Sequence, residues 1–159
     1  MQKRIALVTG GNRGIGLETC RQLARLGFTV LLTDRDPDKG NMAVNKLVNK
    51  EGLDVIFYLL DVTNTDHITA ISKQVEQQYG SLNVLINNAA IHYDTWQCAI
   101  DTDLEVVNQA MVTNVFGPWR LCQAFIHIMR RNRYVCLFLD KEIFVVDVRH
   151  EFSAYFKKS

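Results

Sequence analysis

Lys3-Arg4-Ile5-Ala6-Leu7-Val8-Thr9-Gly10-Gly11-Asn12-Arg13-Gly14-Ile15-Gly16 is the stretch on which the fold turns. Ile5 to Val8 is an apolar run of the length of a buried strand, and the glycines directly behind it read as a tight turn into a helix from Gly14 to Leu26. In that helix Ile15, Leu23 and Leu26 are the apolar residues expected to face a sheet, and Gly27 supplies the stop. Glycines in such a turn let backbone amides approach phosphate oxygens and let the helix pack close, while the helix N-terminus favours negative charge. A dinucleotide pyrophosphate suits this arrangement; a turn with a purely structural role is the alternative.

The same alternation continues outward from this stretch. Phe28 to Thr33 predicts a second strand, followed by Asp34-Arg35-Asp36-Pro37 and a helix over about Lys39 to Lys50. Asp54 to Leu60 is the expected third strand, Thr65 to Tyr79 a helix with Ile68, Ile71 and Val75 on one side, and Leu82 to Ile86 the fourth strand. Period 2 giving way repeatedly to period 3.6 is the pattern of βαβ units. It predicts an α/β fold, a Rossmann-like doubly wound parallel sheet in the order 3-2-1-4-5. Thr102-Asp103-Leu104-Glu105 matches a capping box that opens a long helical region reaching about Arg131, with Gly117-Pro118 as a local break. Tyr134 to Leu139 reads as a fifth strand. Asp140-Lys141-Glu142 then separates it from Ile143-Phe144-Val145-Val146, the spacing of a hairpin, so residues 143 to 148 are expected as an antiparallel C-terminal edge strand. The expected division is an incomplete Rossmann-like cofactor-binding domain over 1–139 and a divergent tail over 140–159.

Composition narrows the class of protein. With 159 residues, 48% hydrophobic and 22% charged, the chain suits one folded domain. A net charge of +1 steers it to neither nucleic acid nor an anionic membrane. Cys20, Cys98, Cys122 and Cys136 are too far apart for a zinc site and read as buried or idle thiols. Ile5 to Val8 is too short for a secretory or membrane segment, which makes a cytoplasmic protein the expectation.

Gly10 to Gly16, Asp61-Val62, Asn87-Asn88-Ala89-Ala90 and Thr113-Asn114-Val115-Phe116-Gly117 occur in an order and spacing that resembles the short-chain dehydrogenase/reductase family, and within it the cytosolic carbonyl reductases. The resemblance covers about residues 3 to 135. It implies a cofactor turn made by Gly10, Asn12, Arg13, Gly14, Ile15 and Gly16, an adenine contact at Asp61-Val62, and a fourth-strand terminus at Asn88, Ala89 and Ala90. Ala90 stands where the family has glycine. Asn114 falls at the family's helix asparagine, a catalytic position, and is read equally as support for a distorted turn. The implied family reaction is hydride transfer from NADPH to an aldehyde, ketone or quinone carbonyl.

Phosphate choice is argued from charge. Arg13 in the turn and Arg35 beyond the second strand can reach an adenosine 2′-phosphate, whereas Asp34 can bind ribose hydroxyls and repel that phosphate. Two cations against one anion predict NADP(H), with NAD(H) as the weaker alternative; Arg35 also has a reading as a surface partner of Asp34 or Asp36. Asp61 has a second reading as a local backbone cap, and Asn88 as a support for the sheet end.

Carbonyl reduction also needs a group that polarises the oxygen and an acid. The resemblance implies a serine beyond the fifth strand and a Tyr-x-x-x-Lys pair on the next helix. This chain has Phe138-Leu139-Asp140 at the first place, and Tyr155 is followed by Lys157 and Lys158 but by Ser159 at the required fourth position. A form cut short or diverging near its C-terminus, with little or no activity, is therefore expected. A non-catalytic interaction or regulatory module derived from the family is the alternative, with self-association through the sheet edge or the long helix. Tyr93 and Trp96 are candidate pocket residues, and His67, His92, His127 and His150 form no metal-binding pattern.

Overall fold

A computed structural model describes residues 3–91 and 102–130, together with the strands Val135–Leu139 and Glu142–Val146. Strands β1 (Arg4–Thr9), β2 (Phe28–Asp34), β3 (Val55–Leu59), β4 (Val84–Asn87), β5 (Val135–Leu139) and β6 (Glu142–Val146) form one sheet in the order β3-β2-β1-β4-β5-β6. The first five are parallel and β6 returns antiparallel on β5, with Leu137 opposite Phe144. The predicted doubly wound order and its antiparallel edge strand are both present.

Alternation along the strands builds a core on each face. Ile5 and Leu7, Leu31, Tyr58 and Leu85 point to the side covered by α3 (Thr65–Tyr79) and α5 (Gly117–Met129). Val8, Val30, Leu32, Val55 and Ile86 point to the side covered by α1 (Gly14–Arg25) and α2 (Pro37–Glu51). The register sets Leu7 beside both Leu31 and Leu85, and Val8 beside Leu32 and Ile86, so both layers are continuous across three strands. Each aliphatic side chain fully buried in this way contributes about 1.5–3 kcal/mol. On α3, Ile68, Ile71 and Val75 are buried as their spacing predicts.

The sheet-facing side of α1 differs from expectation. Its buried residues are Gly16, Cys20 and Ala24, while Ile15 is 80% and Leu26 65% exposed. The helix approaches the sheet most closely at these small residues, while Leu23, as expected, and Leu17 pack partly buried at their flanks. Burial pushes the Cys20 thiol up to about 12 and the Cys122 thiol up to about 11, so both stay protonated. Arg21 and Arg25 of α1 both reach Glu51 at the end of α2, tying the two helices together.

Helix starts follow the side chains available. Asp36 caps α2, and Asn64 Oδ1 caps α3 by accepting from Asp66 N (2.9 Å) and His67 N (3.2 Å). The next helix, α4 (Leu104–Met111), is capped by Asp103 Oδ1 accepting from Glu105 N, one residue later than the Thr102 capping box predicts. The long helical region does break, through one π turn over Val112–Phe116 placed just before Gly117-Pro118, in which Gly117 N donates to Val112 O. Pro118 has no N–H for the carbonyl four residues back, and the wider turn absorbs that gap. No described helix is long and apolar enough to cross a membrane.

Replacing Asn64 by alanine removes the α3 cap and is expected to lower stability by about 1 kcal/mol. Thermal unfolding should register this as a fall of roughly 2–4 °C in Tm.

Candidate functional site

The C-terminal ends of β1, β2 and β4 open together, and one threonine joins them. Thr9 Oγ1 accepts from Asn88 N (2.9 Å) and Ala89 N (2.9 Å) and donates to Ile86 O (3.3 Å). The Asn88 side chain completes the clamp, its Nδ2 donating to Thr9 O (2.9 Å) and Gly10 O (3.0 Å). Gly11 N donates to Thr33 O (2.9 Å), which fastens the turn to β2 as well. No local sequence pattern assigns Thr9 this role. The available signal is its place as the last residue of a buried strand facing two asparagines.

Two glycines in the turn are obligatory for different reasons. Gly10 has φ +63°, a left-handed conformation that side chains disfavour. A Cβ on Gly16 would lie 2.3 Å from Gly10 O and 2.4 Å from Asn88 Nδ2, with no room to move. The turn therefore delivers the N-terminus of α1 hard against the strand ends. Unlike α2, α3 and α4, α1 has no capping side chain and no acidic residue in its first turn, so its amides face outward without an internal acceptor.

Those amides open on a cleft of about 940 Å³. Gly10, Asn12, Arg13, Gly14, Ile15, Gly16, Asp34, Arg35, Asp61, Val62, Asn88, Ala89 and Ala90 all line it, so the residues marked as cofactor-binding from sequence meet in one place. Leu60, Thr63, Asp36, Lys39, Ile91 and Thr113 line it too and were not foreseen. Asp34 is buried and its Oδ1 accepts from Asp36 N (2.9 Å), which turns the chain at the end of β2. Lys39 Nζ lies 2.8 Å from Asp36 Oδ2, and this hydrogen-bonded cation holds the Asp36 carboxyl below the usual carboxylate range. That i,i+3 pair was legible in principle once α2 was seen to start at Pro37.

Next to Asp34 across the β2–β3 pair, Asp61 Oδ1 accepts from Thr63 N (2.8 Å) and Thr63 Oγ1 (2.7 Å), the local cap that spacing allowed. Its second oxygen has no partner among the described residues. Asn114 lies in the π turn beside the cleft rather than in its lining. Its Oδ1 accepts from Ile91 N and its Nδ2 donates to Ile91 O, both at 2.9 Å, so the amide pins the irregular segment that follows Ala90. Asn87 points the other way, toward Cys122 Sγ (3.9 Å), with its buried Oδ1 unpaired among the described residues. Tyr93, Trp96, His92, His150 and Tyr155 lie outside the described residues.

A parallel sheet with a glycine turn at a helix N-terminus and an acidic second-strand end defines a dinucleotide-type fold. Residues 4–134 match the short chain dehydrogenase family, and the chain belongs to it. It is 36% identical over 148 residues to (+)-neomenthol dehydrogenase of Arabidopsis thaliana, covering 80% of this chain and 49% of that protein. Against the NADPH carbonyl reductase 3 of Homo sapiens the identity is 38% over 128 residues, covering 80% and 45%. Among solved structures, salutaridine reductase from Papaver somniferum superposes with a TM-score of 0.75 at 27% identity, covering 85% of this chain and 56% of that one. A metagenomic short-chain oxidoreductase in complex with NADP gives 0.74 at 29% identity, covering 80% and 57%. The chain thus spans about half the length of these relatives.

Thr9→Val keeps the shape of the side chain but strips two peptide N–H groups of their acceptor. It is expected to cost about 2–4 kcal/mol in denaturant unfolding. Unchanged stability would show that Thr9 does not carry the clamp.

Proposed function

We propose that this chain binds NADP(H) in the cleft at the ends of β1, β2 and β4 and, by itself, reduces carbonyl compounds little or not at all. The carrying observation is the uncapped N-terminus of α1 opening into the same cleft as Arg13, Arg35 and Lys39. Outward-facing amides suit a pyrophosphate, and three cations against the Asp34 and Asp36 carboxylates suit one further phosphate on the ribose. Asp61, with its second oxygen unpaired, suits the amino edge of adenine. The related protein in complex with NADP and the relative named for NADPH point to the same cofactor.

When bound, the nicotinamide would supply hydride. This chain's residues hold the nucleotide and fix the strand ends, but Asp140 stands directly beyond β5 where a serine would be needed, and the 159 residues contain no Tyr-x-x-x-Lys pair. Loss of a general acid alone costs about 10²- to 10⁴-fold in rate. The Asn114 amide, in turn, is committed to Ile91.

A second reading, an interaction module, is favoured by one feature. Helix α4 buries none of its residues, and Leu104, Val107, Met111, Val115, Phe116 and Trp119 leave an exposed apolar stripe running from α4 into α5. Self-association through this stripe would cover it.

Calorimetry is expected to give tighter binding of NADPH than of NADH, with Arg13→Ala and Arg35→Ala each narrowing the difference about tenfold. Equal affinities would overturn the NADP(H) preference. The purified 159-residue chain should oxidise NADPH at background rate with quinones and aldehydes. Saturable turnover abolished by Gly16→Ala would overturn the inactive reading.

A further inference from the structure

We propose that His67 is a positioning residue for the adenine end of the cleft, acting through the peptide of Asp61 and making nucleotide affinity depend on pH. His67 sits in the first turn of α3, half-buried, and its Nδ1 lies 3.2 Å from Asp61 N. A peptide N–H can only donate, so Nδ1 is the acceptor and the ring carries its proton on Nε2. The contact closes a small ring of bonds. Asn64 N donates to Asp61 O (3.0 Å), Asn64 Oδ1 accepts from His67 N, and Asp61 Oδ1 takes both donors of Thr63. Every polar atom of Asp61 except one carboxyl oxygen is thereby tied to the turn into α3. That last oxygen belongs to a residue lining the cleft.

Protonation of His67 converts Nδ1 from acceptor to donor. Two N–H groups then face each other, and the bond is lost. The charged groups around the ring are Asp61 on the β3–α3 loop and Asp66 beside it on α3. On the packed side, α5 meets the loop at Gly117 and Val62, and its first charged residue beyond that contact is Arg120. Thr63 and Asn64, the other polar residues of the loop, are neutral.

The proposal rests on the NADP(H) reading, and the test separates the two. Affinity for NADP⁺ is measured calorimetrically between about pH 8 and pH 5.5, the range in which histidine titrates, for the wild-type chain, His67→Asn and His67→Phe. Asparagine offers an acceptor oxygen near the place of Nδ1 and does not titrate; phenylalanine offers none. The 2′-phosphate also titrates in this range, but equally for all three proteins, so the ratio of wild type to His67→Asn isolates the histidine. That ratio is expected to be near one at the alkaline end and to fall about three- to tenfold at the acid end. His67→Phe should bind about three- to tenfold more weakly already at the alkaline end. In the nucleotide-free protein, the Asp61 amide resonance should shift with pH in the wild type and stay fixed in His67→Asn. A pH-independent ratio together with a fixed Asp61 amide overturns the role of His67 even if NADP⁺ binds. Absence of NADP⁺ binding at any pH overturns the cofactor reading, while the Asp61 amide still decides whether the histidine bond exists. If His67→Phe fails to fold, as circular dichroism would reveal, the asparagine variant alone decides.

Discussion

The contact between the Thr9 hydroxyl and the start of the segment after β4 is the constraint on which the site depends. A parallel sheet exposes unsatisfied peptide groups where its strands end, and here two of them, Asn88 N and Ala89 N, find their acceptor on the neighbouring strand. The Asn88 amide returns the bond to Thr9 O and Gly10 O. With β1 and β4 locked together at their tips, the chain has one narrow course from Thr9 into α1. Gly16 is the price of that course, because its missing Cβ is the space occupied by Gly10 O. The uncapped helix start is thus held in place by hydrogen bonds made by neighbours in space rather than in sequence.

Most of the architecture was readable because both faces of the sheet are covered. Apolar runs such as Val30-Leu31-Leu32 have no polar alternation, and the helices between them keep period 3.6, which together dictate parallel strands and crossovers. The errors have a common cause. On α1 the apolar residues Ile15, Leu23 and Leu26 are expected to face the sheet; Leu23 does pack against the core beside Leu17, but the fully buried positions are Gly16, Cys20 and Ala24, and Leu26 is exposed. Ile15 instead lies exposed at the mouth of the cleft. Periodicity identifies a face; it carries no information about how close the neighbouring layer will be.

The site shows the same division. The glycines and Asp61 are legible because they meet local backbone demands, and the paired asparagines because polar residues directly after an apolar strand stand out, although their contacts are distant in sequence. Thr9 is not, since a threonine at a strand end is common and its three bonds depend on register with β4. Lys39 and Asp36 were missed because the helix was expected to begin two residues late. With the start at Pro37, Asp36 becomes the cap and Lys39 its i,i+3 partner, and both enter the cleft beside Asp34 and Arg35. The electrostatics of the ribose end are therefore a consequence of where α2 starts.

The π turn links this chemistry to the remainder of the fold. One extra residue in the turn follows from Pro118, which cannot donate to the helix, and it places Asn114 where its amide matches both peptide groups of Ile91. Gly117, with Val62 Cγ2 and Val62 O each 3.0 Å from the position of a Cβ, lets the same helix press on the loop that carries Asp61. A helical irregularity thus holds both the segment leaving β4 and the loop leaving β3. The geometry of the cleft follows from close backbone approaches at Gly16 and Gly117, and bulky side chains fill the two cores behind it.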